Sequence, residues 1–167
     1  MSRKSHLHWL TTAALFAAAI AVMTAYMFHI PIPTGGYIHL GDALIYLAAC
    51  LLPAPYAAAA AAAGAGLADL LTAPMWVLPT LIIKPLVALF FTSCQARILC
   101  RRNCAAVALA GLLSPTAYAL AGCAMAGTMA AFLPQFLGTL AQGAGSAALF
   151  FTIAPALDGV NLKERLA

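Results

Sequence analysis

From Trp9 to Phe28 the chain runs for 20 residues without one charged side chain, and the pattern repeats along its length. A helix of about 20 apolar residues matches the ~30 Å hydrocarbon core of a bilayer. Only 7% of the 167 residues are charged, against about 25% in soluble globular domains. So few charges cannot cover a water-facing surface, and the chain reads as an integral membrane protein. A membrane β-barrel needs short segments alternating apolar and polar residues. The Ala- and Leu-rich runs here lack that alternation. No polar stretch is long enough for a second domain, so residues 1–167 read as a single membrane domain.

Pro, Gly and polar interruptions divide the chain into six expected spans, at about 9–28, 40–52, 56–71, 77–95, 105–125 and 132–154. The fold class expected is an all-α, six-transmembrane-helix bundle. The second segment is short for a span and must tilt, sit recessed among its neighbours or borrow loop residues. The first follows Arg3 and Lys4 and is longer than the ~7–15 apolar residues of a signal-peptide core, so an uncleaved first helix is expected. The net charge of +4 does not point to nucleic acid. Arg3, Lys4, Arg97, Arg101, Arg102, Lys163 and Arg165 lie at termini or in one connection, where basic residues orient membrane helices. Six spans with both termini cytoplasmic place seven of the eight Lys/Arg residues inside. The eighth, Lys84, falls within a span.

Lys84 raises the question of partners. An ion in an apolar medium is costly unless paired. Counting ~1.5 Å per residue, Lys84 lies about 10 Å below the outer face. Asp42 lies in the first turn of the second span and Asp69 in the last turn of the third. This reading favours Asp42 as the partner of Lys84 with Asp69 close, leaves open which of the two carboxylates carries the ion pair, and sets His39 at the head of the second span. Trp76, Thr80, Tyr118, Gln135 and Gln142 fall in the same outer half, which suggests a pocket opening outward. The charged trio can be a clamp that sets helix register or a ligand contact. Trp76 can be an interfacial anchor or a pocket wall, and the glutamines interhelical bonds or ligand contacts. No ladder of ionisable groups continues inward, as a proton-driven carrier or channel would need.

Ala13, Ala17, Ala21 and Ala25 form one stripe on the first helix, and such small residues let another helix approach closely. Because the alanines at 57–63 already supply packing within the bundle, the first-helix stripe is expected to dock a separate membrane partner. The five cysteines form no CxxC pair, and no metal or cofactor is expected. No Gly-rich loop ending in Gly-Lys-Ser/Thr is present, so ATP-driven work needs partner ATPases.

The ordered set His39-Leu-Gly-Asp42, Ala68-Asp-Leu-Leu71 and Pro79-Thr-Leu-Ile-Ile-Lys84, in a chain of this size with six helices, resembles the substrate-binding S components of energy-coupling factor (ECF) transporters. The resemblance implies a non-enzymatic subunit of the prokaryotic inner membrane that captures a vitamin or vitamin precursor. Its implied partners are a transmembrane coupling subunit and two ATP-binding subunits. It further implies docking through Ala13, Ala17 and Ala21, and a first loop, His29–Ile38, that closes over substrate. Asp42, Asp69 and Lys84 match motif positions shared across substrates. Selectivity is therefore expected from Trp76, Thr80, Tyr118, Gln135 and Gln142, with a planar heteroaromatic, such as a thiamin-precursor pyrimidine or vitamin B6, as substrate. Two other readings stay open. An intramembrane aspartyl protease would use Asp42 and Asp69, although the leading glycine of its Gly-x-Gly-Asp motif is missing. A scaffold subunit would keep the polar pocket for structure alone.

Overall fold

The computed structural model describes residues 3–27, 29–31 and 37–166. Helix α1 (Arg3–Tyr26) leads into a two-residue antiparallel ladder, β1 (Ile30–Pro31) against β2 (Tyr37–Ile38), with Ile30 opposite Ile38. Then follow α2 (Asp42–Leu51), α3 (Ala54–Thr72), a 3₁₀ turn at Pro74–Trp76, α4 (Val77–Ala88), α5 (Arg101–Ala126), a second 3₁₀ turn at Met129–Ala131, α6 (Phe132–Gly159) and α7 (Leu162–Leu166). Among the described residues, four helices are long and apolar enough to cross a membrane: α1, α3, α5 and α6. The 10 residues of α2 and 12 of α4 rise only about 15 and 18 Å.

The polarity of the bundle is inverted relative to a water-soluble domain. Leu15, Leu78 and Leu112 are 72%, 74% and 65% exposed, whereas Asp42, Lys84, Asn103 and Gln142 are buried. Exposed apolar surface on this scale marks a membrane contact. The interior aromatic cluster packs Tyr46 of α2 flat against Phe91, with Phe150 of α6 edge-on to both.

Three contacts bring distant connections to one end. His8 Nε2 donates to the Leu166 carbonyl (3.1 Å), Tyr56 bonds His6, and Lys163 Nζ donates to the Gln95 carbonyl (2.6 Å). The start of α1, the α2–α3 connection, the segment after α4 and the chain's last helix thus share that end. Tyr37, Asp69 and Trp76 lie at the other.

Two expectations need correction. The alanine stripe of α1 is not free for a partner: Ala13, Ala21 and Ala25 are buried and Ala17 is half-buried. At Ala17 and Ile20 this face of α1 lies against α3, where Gly64 admits the close approach. A β-carbon at Gly64 would lie 2.6 Å from the Ala17 carbonyl oxygen and 2.8 Å from Ile20 Cβ. Small residues on both helices, Ala57, Ala60, Ala61 and Gly64 on α3, are used against each other. The α1 face left open carries Thr11, Ala14, Leu15, Ala18 and Val22.

The fourth helix also stops at Ala88, not near Gln95. Side chains from far along the chain satisfy the backbone beyond it. Asn103 accepts from Thr92 N (2.8 Å) and donates to the carbonyls of Thr92 (3.1 Å) and Ile98 (2.9 Å). The Asp158 carboxylate accepts from Ile98 N (2.7 Å) and Leu99 N (3.0 Å). Buried backbone groups need partners, and here Asn103 and Asp158 replace the helical ladder. Pro85 contributes by removing one helical donor.

Candidate functional site

The site begins with the Asp42 carboxylate in the first turn of α2, where the helix dipole favours negative charge. Both its oxygens are engaged. Lys84 Nζ donates to Oδ1 (2.6 Å) from α4, and Gln142 Nε2 donates to Oδ2 (2.9 Å) from α6. The two charged side chains are only 3% and 4% exposed. One carboxylate therefore ties three helices together at one level, and of the two carboxylates that the sequence brings near Lys84, Asp42 carries the pair.

A glycine sets the entry to α2. A β-carbon at Gly41 would lie 2.0 Å from Thr24 Oγ1 and 3.1 Å from His39 Nδ1, so α1 and the segment before α2 meet here with no room for a side chain. Gly41 N donates to His39 Nδ1 (3.0 Å), which places the ring proton on Nε2. Burial holds the His39 imidazole down to about 3, so it is neutral at physiological pH.

Asp69, near the end of α3, has a separate partner. Tyr37 of β2 donates its hydroxyl to Asp69 Oδ1 (2.5 Å). Burial and the adjacent carboxylate push the Tyr37 hydroxyl well above its ordinary range, so it remains a donor. His29 stacks on Tyr37 with ring centroids 4.0 Å apart, and its Nδ1 reaches the Thr24 carbonyl (3.4 Å). The short ladder before α2 is thereby fixed to both α1 and α3. Residues 32–36 of the expected closing loop lie outside the described residues.

The opposite wall is aromatic and amide-bearing. Thr80 of α4 bonds the Tyr118 hydroxyl of α5 (2.6 Å), and Lys84 Nζ sits 5.1 Å from the Tyr118 ring centroid, in cation–π range. The Trp76 and Tyr118 rings lie 5.8 Å apart. Gly122 opens the space for Trp76, since a β-carbon there would meet the indole at 3.3 Å and Gln135 at 3.4 Å. Gln135 and Thr139 share one face of α6, with Gln135 Nε2 donating to Thr139 Oγ1 (3.4 Å).

These groups enclose one cavity of about 30 Å³. Trp76, Thr80, Lys84, Tyr118, Gln135 and Gln142 all line it, as do His39 and Asp69; Asp42 stands behind Lys84. Ala13, Ala17 and Ala21 pack elsewhere, against α3. Sequence reasoning missed Thr24, Ala65 and Thr139 as lining residues, and reached Tyr37 only as part of the expected loop His29–Ile38. A signal for Thr24 was present, because it continues the α1 face of Ala13, Ala17, Ile20 and Ala21 at helical spacing. Tyr37 becomes visible only once Asp69 is known to need a donor. The cavity has room for about one water molecule, whereas small-molecule sites run to about 300–1,000 Å³. The arrangement offers an aromatic wall, two amides and a fixed, buried charge pair around one small cavity.

A family model described as "ECF-type riboflavin transporter, S component" matches residues 4–158. Searches of curated proteins and of solved structures return no match.

Proposed function

The chain belongs to this family of ECF transporter S components, and from that premise we propose that it captures a planar heteroaromatic vitamin or vitamin precursor in the cavity between Trp76, Tyr118 and Gln135. It is a membrane transporter subunit. One observation carries the substrate reading: polar side chains from six segments, α1, the residues before α2, α3, α4, α5 and α6, converge on one site whose wall carries the Trp76 and Tyr118 rings beside the Gln135 amide. Flat rings with polar edges suit such a lining, because the rings stack and the edge atoms bond the amides. Riboflavin, the substrate in the family model's description, has this shape, as do the thiamin-precursor pyrimidine and vitamin B6. Entry of any of them requires this cavity of about 30 Å³ to widen.

All six helices α1–α6 span or part-span the bilayer, with α2 and α4 recessed among their longer neighbours. The basic end, bearing Arg97, Arg101, Arg102, Lys163 and Arg165, faces the cytoplasm, and the cavity faces outward. The prokaryotic cell membrane is the expected location. A coupling subunit and two ATPases complete the importer. The α1 surface that serves this docking is the open one at Ala14 and Ala18, since the stripe at Ala13, Ala17 and Ala21 is already packed. An aspartyl protease finds no support. Asp42 and Asp69 each hold separate partners, and a catalytic dyad needs two carboxyls sharing one proton.

The test is a thermal-shift panel on the purified protein with riboflavin, the pyrimidine precursor and pyridoxine. A ligand that binds only the folded state raises the melting temperature by mass action. At least one member should do so, and none doing so would sink the proposal.

A further inference from the structure

Thr24 is 1% exposed, lines the cavity from α1, and its hydroxyl has no hydrogen-bond partner among the described residues. Six other helical threonines show the usual alternative. Thr11, Thr12, Thr72, Thr116, Thr139 and Thr152 each donate to the carbonyl four residues back. Thr24 does not. Its Oγ1 instead rests against the bare face of Gly41, within about 5 Å of His39 Nδ1. A buried hydroxyl without a partner is destabilising by about 1–3 kcal/mol, and native proteins retain few of them. Two other orphans, Ser114 and Ser146, are buried in α5 and α6, but neither lines this cavity.

We infer that Thr24 is a substrate-contacting, specificity-determining residue, its hydroxyl bonding a carbonyl, hydroxyl or ring nitrogen on the edge of the heteroaromatic ligand. A hydroxyl both donates and accepts, so it serves any of these edge groups. Gly41 belongs to the same device, because any side chain there would occupy the place of the hydroxyl. The first helix then contributes to selectivity, alongside the residues of α4 to α6. The inference rests on the transport reading above.

The experiment measures the dissociation constant of the tightest-binding panel vitamin, and the ligand-free melting temperature, for wild type, Thr24→Val, Thr24→Ser and Thr24→Ala. Thr24→Val keeps the shape and removes the hydroxyl. It should weaken binding about tenfold, with a ligand-free melting temperature equal to or above that of wild type. Thr24→Ser should stay within about threefold of wild-type affinity. If Thr24→Val does not fold, Thr24→Ala reads the same loss. Wild-type affinity in both Thr24→Val and Thr24→Ala would overturn the inference alone, as would a Thr24→Ser protein as weak as Thr24→Val, since packing would then be the cause. A wild-type protein that binds no member of the panel would overturn the transport reading and this inference with it.

Discussion

Replacing Lys84 with Met should unfold this protein far more readily than replacing Lys84 and Asp42 together. At 2.6 Å and an effective dielectric of about 20, the Asp42–Lys84 attraction is about 6 kcal/mol before desolvation. Removing both charges from water offsets most of it, so the pair contributes little net stability. Lys84→Met alone leaves the Asp42 carboxylate buried with Gln142 as its only remaining side-chain donor among the described residues. That change should cost about 3–5 kcal/mol, whereas Asp42→Asn with Lys84→Met should return to within about 1–2 kcal/mol of wild type. Unfolding in detergent, followed by circular dichroism across an SDS titration, reads all the variants in one series. The coupling energy from the double-mutant cycle is the deciding quantity. If the single and double variants lose the same stability, the carboxylate does not depend on its ion pair and the reasoning fails.

Three further predictions concern other parts of the molecule. Because folding lowers the His39 pKa from 6.5 to about 3, the unfolded chain binds more protons, and stability must fall as pH drops below about 6.5. At pH 5 the loss should be about 2 kcal/mol relative to neutral pH, and the difference between wild type and His39→Asn, read as melting temperature against pH, isolates it. Asn103→Ala removes three hydrogen bonds that fix residues 92–98 and should destabilise by about 2–4 kcal/mol; the Thr92 amide, which donates to Asn103, should lose its protection from exchange with it. Ala14→Trp with Ala18→Trp should abolish ATP-dependent uptake in cells expressing the coupling subunit and ATPases, while vitamin binding by the isolated chain stays within about twofold, as a face remote from the cavity requires.

That Lys84 pairs with a carboxylate was legible in the sequence, because an apolar medium leaves a charge few choices, but the choice of Asp42 over Asp69 was not. Helix depth alone brought the two to one level. The same argument gathered Trp76, Thr80, Tyr118, Gln135 and Gln142 around one space. The part played by Gln142 was not legible: a glutamine on α6 can bond many neighbours, and its donation to Asp42 Oδ2 depends on helix rotation. The alanine stripe misled for a related reason. Spacing of four shows that something approaches α1 closely, and only Gly64 beneath the Ala17 carbonyl shows that it is α3. The end of α4 at Ala88 was hidden because Asn103 and Asp158 control it from later in the chain. Helical spacing places Thr24 on the inner face of α1, but that its hydroxyl lacks a partner is a three-dimensional fact that no periodicity carries.

The central claim is that this chain holds a vitamin for a coupled ATPase module. Mass spectrometry of the tagged protein, released gently from its native membranes, tests it most directly by reading co-purifying subunits and retained small molecules together. A coupling subunit, two ATPases and a heteroaromatic vitamin-sized mass are the expected result. A solitary protein with an empty cavity would contradict the account.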